Sequence, residues 1–171
     1  MASKKIPITR VNKFFSEEDF NLNKSIGMEY LHGNLNFTLV YYGVDRKKTV
    51  NDDVYGESEK DDIRFFPPVE FKAYVSVADS SPESYASGIL KYEEPGNLTF
   101  HVYIDHLKEL DIDIHYGDYI GYPEREDRVR YYTVANDGQV VSANKHTILG
   151  YKPFYRTIIC TPTQDDVFRG I

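Results

Sequence analysis

Apolar and polar residues alternate along several short segments of the chain. Residues 69–77 are the clearest case, because every second position from Val69 to Val77 is apolar and most of the others are polar. Similar alternation runs through residues 35–42 and 98–104, and shorter strand-like runs occupy 118–122, 128–134 and 154–161. A period of two is typical of strands with one buried and one solvated face, the usual state of antiparallel sheets. The pattern therefore predicts a mainly β protein, either an antiparallel β-barrel or a small sandwich.

A short helix is predicted before the first strand. Ser16, followed by acidic residues up to Asp19, has the composition of a helix N-terminus, where a hydroxyl and a carboxylate cap free backbone N–H groups. Leu22, Ile26 and Tyr30 recur at every fourth position. This spacing places the three residues on one side of the helix.

The organisation of the chain indicates one domain with two long extended arms. A chain of 171 residues is long enough for one hydrophobic core. Residues 1–15 are predicted to be an extended N-terminal arm, and residues 16–171 a single β domain. The second arm is the charged loop 43–66, in which twelve of the twenty positions from 45 to 64 are charged, with both signs mixed. A polar connection of this length is typical of a binding arm or a disordered loop.

Composition restricts the classes of function. The 15 Tyr and 10 Phe favour strands and also favour contact surfaces. The formal net charge of −7 argues against free binding to nucleic-acid phosphates. The single cysteine, Cys160, excludes an internal disulfide and fits a reducing compartment. Neither a signal peptide nor a membrane span is predicted.

The strongest candidate for a reaction centre is a run of histidines and acids after residue 100. A metal ion would need three or four such ligands to converge, whereas alternation places His101 on the solvated face of a strand and His106 beyond its end. A metal-assisted enzyme built on His101, His106 and His115 therefore stays an alternative. The sequence also lacks a nucleophile elbow and a phosphate-binding glycine loop. We predict no enzyme activity, no metal and no cofactor.

Phe65-Phe66-Pro67-Pro68 connects the charged loop to the strand that follows it. The two prolines keep the phenylalanines extended and prevent further strand pairing there. The phenylalanines are interpreted as part of the core. Because they are attached to a long charged arm, the alternative is an anchor that docks on a neighbouring molecule.

Four short elements follow one another along the chain: Val54-Tyr-Gly-Glu57, Phe65-Phe-Pro-Pro68, Gly117-Asp-Tyr-Ile120 and Arg130-Tyr-Tyr-Thr-Val134. Together with the helix before them, they resemble the neck (head-closure) proteins of contractile-tailed bacteriophages over roughly residues 22–160. In that family a helix leads to a strand and to an arm with a Tyr-Gly-Glu element. A strand with a Gly-Asp-aromatic-apolar sequence follows later.

The resemblance implies a structural protein of the virion, made in the cytoplasm of the bacterial host. Copies would form a ring between the portal or adaptor ring and the tail-terminator proteins, closing the filled head and docking the tail. Genomic DNA would pass through this ring without sequence-specific binding. Rings need heterologous interfaces, and long arms gain affinity by ordering on contact. The predicted subunit or partner interface comprises Arg46, Lys47, Lys48, Tyr55, Gly56, Glu57, Phe65, Phe66, Pro67 and Pro68.

The main alternative is a non-enzymatic β-sandwich module that binds carbohydrate or peptide. Such a module would use a concave aromatic surface, which we predict from Tyr74, Tyr103 and Tyr132 on the solvated faces of strands.

Overall fold

The protein is mainly β, as the alternation predicts. A computed structural model describes residues 15–33, 37–49, 63–78, 96–139, 152–163 and 168, together with the backbone of two short strands at 82–84 and 91–93. The elements are α1 (Glu17–Gly33), β1 (Thr38–Tyr42), β2 (Val69–Lys72), β3 (Tyr74–Val77), β4 (Pro82–Ser84), β5 (Lys91–Glu93), β6 (Leu98–Tyr103), α2 (Ile104–Glu109), β7 (Tyr119–Arg125), β8 (Arg128–Asn136) and β9 (Tyr155–Pro162). Within these residues, no helix is both long and apolar enough to cross a membrane. Nearly all of the predicted N-terminal arm, residues 1–14, lies outside them.

Seven of the strands form one sheet in the order β2-β1-β7-β8-β9-β6-β3, and β4 pairs with β5 in a separate ribbon. All of the pairings are antiparallel. The predicted fold class is therefore confirmed at the level of a barrel-like or sandwich-like antiparallel fold. The ladder is not closed by a direct pairing between its end strands, β2 and β3.

These two end strands adjoin in sequence, with only Ala73 between them. The N–H of Ala73 donates to the carbonyl of Phe37 at 3.1 Å, which extends the pairing with β1. Tyr74, the next residue, pairs instead with His101 of β6. The single strand predicted over 69–77 is thus two strands that change partner at Ala73. Because one continuous segment is bonded to both ends of the ladder, the sheet curls into a barrel-like shape around its core.

The core lies on the concave face of this sheet. Its largest fully buried side chains are Tyr132, Phe71, Phe100, Leu39, Leu98, Ile114, Ile120, Ile158, Val102 and Val134. Leu98, Phe100 and Val102 have no exposed surface, as the alternation in this strand predicts. Full burial of such a side chain stabilises the folded state by about 1.5–3 kcal/mol. The pattern weakens at strand ends, where Phe37 and Val77 are 43% and 41% exposed.

The N-terminus of α1 is capped as the sequence predicts. The Ser16 N–H and hydroxyl both donate to the carboxylate of Asp19, at 2.9 and 2.8 Å. In return, the Asp19 N–H donates to Ser16 Oγ at 3.2 Å. These reciprocal bonds form a capping box, and they lower the pKa of the Asp19 carboxyl.

The apolar side of α1 that the spacing predicts is largely exposed, although the ring of Tyr30 stacks on that of Tyr74 at 6.4 Å. Leu22, Ile26 and Tyr30 are 60%, 56% and 48% exposed, whereas Phe20 and Leu31 are buried. The helix presents its other side to the barrel because that side permits closer approach. At Gly27, a Cβ atom would lie 2.3 Å from the hydroxyl oxygen of Tyr103, so only glycine leaves room for this ring.

Candidate functional site

The base of the charged loop is an antiparallel extension of the β1–β2 hairpin. The N–H of Asp45 donates to Arg64 O at 2.7 Å, and the N–H of Phe66 donates to Gly43 O at 2.9 Å. The two paired segments, 43–45 and 64–66, hold the loop at its root. Residues 50–62 lie outside the described residues, and with them the predicted interface positions Tyr55, Gly56 and Glu57.

Asp45 folds the first segment into a tight turn. Its Oδ1 accepts the N–H of Lys47 at 3.1 Å, and its carbonyl accepts the N–H and the hydroxyl of Thr49, both at 2.9 Å. This local bonding is typical of Asp at the start of a turn. As a result, Arg46, Lys47 and Lys48 lie in sequence on the exposed outside of the turn.

Asp118 connects the root of the loop to the barrel through hydrogen bonds. Its side chain is almost completely buried, and Oδ2 accepts hydrogen bonds from the Tyr41 hydroxyl and the His115 N–H, each at 2.8 Å. Oδ1 accepts the N–H of Val44 at 3.1 Å and lies 3.8 Å from the Arg46 guanidinium. A buried carboxylate needs such partners to offset its loss of hydration. The sequence indicated Asp118 only as part of the element Gly117-Asp-Tyr-Ile120; Gly117, the residue before it, adopts a φ of +83°.

The two phenylalanines at the second root segment have different environments. Phe65 is partly buried, with its ring 5.1 Å from that of Phe168 and 5.9 Å from that of Tyr119. Phe168 in turn stacks on Tyr119 at 4.5 Å. Phe66 is 51% exposed. Phe65 thus packs against the body of the protein, whereas Phe66 is accessible for a contact.

A groove runs between the root of the loop and the segment that follows α2. We name it the arm-base groove; it has a volume of about 760 Å³. Its apolar walls are formed by Val44, Phe66, Pro67, Val69, Leu110 and Ile112, and its polar lining includes Arg46, Lys47, Lys48, Asp45, Asp111, Asp113, His115 and Asp118. Five of the predicted interface residues therefore converge on one concave surface: Arg46, Lys47, Lys48, Phe66 and Pro67. Pro68 is exposed beside them.

Leu110 and Ile112 are lining residues that the interface prediction missed. The signal for them was the alternation of apolar and acidic residues from Leu110 to Ile114, which resembles that of the strands. The segment is not a strand, however. Ile114 is fully buried in the core, and this leaves the two preceding apolar side chains at the wall of the groove.

A second concave surface lies on the outer face of β3, β6 and β9. It has a volume of about 390 Å³ and is lined by Tyr74, His101, Val102, Tyr103, Phe154 and Tyr155. The rings of Tyr74 and Tyr103 lie 6.0 Å apart, so the predicted aromatic surface does include these two. The prediction is wrong for Tyr132, which is 1% exposed and faces the core.

The three histidines of the metal hypothesis do not converge. His101 Nδ1 lies 2.8 Å from Thr157 Oγ1 on the barrel wall, and His115 Nδ1 lies 2.8 Å from the carbonyl of Asp113. His106 is buried elsewhere, on α2. The three histidines are close together in sequence, but the strand, the helix and the turn that carry them place their side chains in different surroundings.

His106 lies near two other possible metal ligands, His32 and Glu109. The potential ligand atoms of the three residues lie within 4.8 Å of one another. However, His106 Nε2 accepts the N–H of Lys72 at 3.1 Å. Neutral imidazole then carries its proton on Nδ1, the atom 3.9 Å from the Glu109 carboxylate. A metal on Nδ1 would move this proton to Nε2, against the Lys72 N–H. The hydrogen bond from the Lys72 N–H therefore argues against a metal ion on Nδ1, an atom that has no hydrogen-bond partner among the described residues.

Neither a family model nor a curated protein matches the chain. A function is therefore argued from the sheet, the arm-base groove and the concave surface around Tyr74 and Tyr103, named here the aromatic groove.

Proposed function

We propose that the protein is a structural subunit of a bacteriophage neck. In this role, copies form a ring between the portal or adaptor ring and the tail-terminator proteins. The ring closes the filled head, docks the tail and surrounds the path of the genomic DNA. The protein is made in the cytoplasm of the bacterial host and becomes part of the virion.

The observation that carries the proposal is the attachment of the charged loop to the barrel. Asp118 joins the root of the loop to the end of the sheet through Val44 and Arg46. Two residues of this root nevertheless stay exposed. The side chain of Lys48 is 77% exposed, and Phe66 is 51% exposed as a whole residue. A rooted segment that presents charged and apolar side chains to solvent suits an assembly contact, because its position is fixed before the partner arrives.

The resemblance in short sequence elements also supports this role. The element Gly117-Asp-Tyr-Ile120 contains Asp118. The element Phe65-Phe-Pro-Pro68 contributes Phe66 and Pro67 to the groove. Two elements that lie far apart in the chain thus meet at the root of the loop. This is the place where a subunit of a ring would contact a neighbour or the next neck component.

The test is assembly of the purified full chain, alone and with purified portal complexes. We expect ring-shaped particles by electron microscopy, and slower tryptic cleavage after Lys47 and Lys48 in the assembled fraction than in the free subunit. A chain that remains monomeric at all concentrations and does not bind portal complexes would overturn the proposal.

A second candidate function rests on the aromatic groove. The rings of Tyr74, Tyr103 and Phe154 line a concave surface with His101, a combination suited to stacking on a sugar or a peptide side chain. A glycan and peptide array distinguishes the two functions. Binding that is lost in Tyr74→Ala, without ring formation, would favour the binding module.

A further inference from the structure

Three tyrosines lie side by side on the outer face of the sheet. Tyr42, Tyr119 and Tyr131 belong to the adjoining strands β1, β7 and β8. Each has a core residue next to it in its strand, so the alternation directs the three rings away from the core. Tyr119 is nevertheless only 8% exposed. Another part of the chain therefore covers it.

The ring that covers these tyrosines belongs to Phe168, close to the C-terminal end of the sequence. It stacks on the ring of Tyr119, with the centroids 4.5 Å apart and 21° between the planes. It meets the rings of Tyr42 and Tyr131 nearly edge-on, at 5.2 and 5.1 Å. Both arrangements are favourable for aromatic pairs at these distances. Phe168 is 6% exposed, so the surrounding rings enclose most of it.

Gly121 of β7 allows the rings to converge. A Cβ atom at this position would lie 3.2 Å from the ring of Tyr42 and 3.5 Å from that of Tyr131. The first distance is tighter than an ordinary van der Waals contact, so a side chain at this position would displace the Tyr42 ring. We name the cavity formed by Tyr42, Phe65, Tyr119 and Tyr131 the Phe168 cleft.

The fourth wall of the cleft connects it to the charged loop. The ring of Phe65 lies 5.1 Å from that of Phe168, and Phe65 belongs to the second segment of the root. The two backbone hydrogen bonds that close the root lie at the residues on either side of Phe65. Asp118 holds the other root segment, through the N–H of Val44. The root thus has a polar anchor on one segment and an aromatic anchor on the other.

We propose that the Phe168 cleft is a binding site for one aromatic side chain of a peptide, and that its occupant holds the root of the charged loop closed. Here the chain's own Phe168 is the occupant. Thr163, five positions earlier, donates its N–H to the carbonyl of Tyr131 at 3.0 Å, which tethers this occupant beside the cleft. Withdrawal of Phe168 removes the contact that holds Phe65. The inference goes beyond the proposed function, because it concerns the loop within a single copy.

Hydrogen exchange of two backbone amides measures opening of the root. The N–H of Asp45 donates to Arg64 O and the N–H of Phe66 donates to Gly43 O, so both exchange only when the root opens. In the full chain with Phe168→Ala, both amides should exchange at least about tenfold faster, because Phe65 loses its largest aromatic contact. The amides of β6 should stay as protected as in the wild type.

Phe20→Ala is the matched control. Phe20 is also 6% exposed, and its ring packs on Phe154 at 6.3 Å, on α1 and away from the root. The same truncation is therefore made at an equally buried phenylalanine. Exchange at Asp45 and Phe66 should change by less than about twofold, since distant sites act independently.

A peptide added to the Phe168→Ala protein tests the cleft as a binding site. A short tether gives its occupant an effective concentration in the millimolar range, so a synthetic peptide of residues 163–171 at about 5 mM should compete on similar terms. It should slow exchange at both root amides at least about threefold. The same peptide with Phe168→Ala should have no effect.

Equal exchange in Phe168→Ala and wild type, or equally fast exchange in Phe168→Ala and Phe20→Ala, would overturn the assigned role of Phe168. A phenylalanine peptide with no more effect than its alanine version would overturn the binding site. None of these outcomes bears on ring formation. The proposed function is tested separately, by assembly and by binding to portal complexes, so the two failures are distinguishable.

Discussion

The carboxylate of Asp118 lies 2.8 Å from the hydroxyl of Tyr41, although the two residues are 77 positions apart in the chain. The same tyrosine oxygen lies 3.0 Å from the carbonyl of Asp113. Burial, and then the charge of Asp118, raises the pKa of the Tyr41 hydroxyl. This contact joins β1 to the turn before β7 and holds the root of the charged loop against the barrel.

Removal of the Asp118 carboxylate should strongly destabilise the protein. In Asp118→Ala, the N–H groups of Val44 and His115 lose their acceptor, and the Tyr41 hydroxyl keeps only the carbonyl of Asp113. Leaving two N–H donors unpaired and removing the buried acceptor of Tyr41 should lower the free energy of unfolding by about 3 kcal/mol. Tyr41→Phe, which removes one hydroxyl and keeps the ring, is the control and should cost only about 1 kcal/mol. Urea unfolding measures both. Equal stability of the two variants would contradict the role assigned to Asp118.

Alanine should have opposite effects at two glycines of α1. Gly27→Ala gains helix propensity, but its Cβ would overlap the hydroxyl oxygen of Tyr103 and crowd the ring behind it. This variant should therefore melt at a lower temperature than the wild type. At Gly33 no atom lies within 4 Å of an added Cβ. Gly33→Ala should therefore raise the melting temperature slightly, with a gain of up to about 1 kcal/mol. Calorimetry tests the pair, and a stabilised Gly27→Ala would show that α1 does not pack closely on β6.

His106 should make the protein less stable in mild acid. Burial, and then the neighbouring His32, lowers the pKa of His106 in the folded state. The unfolded chain then binds a proton more readily than the folded one. The free energy of unfolding should therefore be unaffected above about pH 6.5 and should fall as the pH drops below that value, until the folded pKa is passed.

The variant His106→Gln isolates this contribution. The Gln side-chain oxygen can accept the Lys72 N–H in place of Nε2, and it does not titrate. Urea unfolding at pH 7.5 and 5.5 should show a smaller loss of stability for the variant than for the wild type. His101 is partly buried and also has a lowered pKa, so His101→Gln serves as the comparison. An unchanged pH dependence in His106→Gln would contradict the prediction.

Cys160 should be unreactive while the protein is folded. Its side chain has no exposed surface, and burial raises the pKa of its thiol to about 12. Since the thiolate is the reactive species, labelling by an aromatic disulfide reagent at pH 8 should be at least about a hundredfold slower than in urea. A labelling rate that is the same in the presence and absence of urea would show that β9 opens readily.

Much of the fold follows from local sequence. Alternation predicted that Leu98, Phe100 and Val102 face the core, because in a strand the side-chain direction depends only on whether a position is odd or even. The capping box of Ser16 and Asp19 was likewise readable, since its partners are three residues apart. For the candidate site, the sequence indicated Lys47 and Lys48 from the charge of the loop. It offered Phe66 as an anchor only as the alternative to a core position, and it did not indicate the groove that the three share.

Tertiary structure decided every feature that depends on a distant partner. Alternation could not show that the strand over 69–77 changes partner at Ala73, because it specifies the face of a strand and not its neighbour. It also could not tell which side of α1 meets the barrel. The sequence shows one apolar row at Leu22, Ile26 and Tyr30. In the structure, however, the side of the helix that packs carries Phe20 and Leu31, and it approaches β6 closely at Gly27.

The sequence by itself determined a mainly antiparallel β protein with a capped helix and a charged loop after its first strand. Only the folded chain joined Asp118 to Tyr41, separated His101 from His106, and opened a groove between the root of the loop and Ile112. The physical reason is the range of the interactions. Backbone periodicity and capping act within a few residues, whereas burial of a charge and packing of a core depend on segments that meet only in three dimensions.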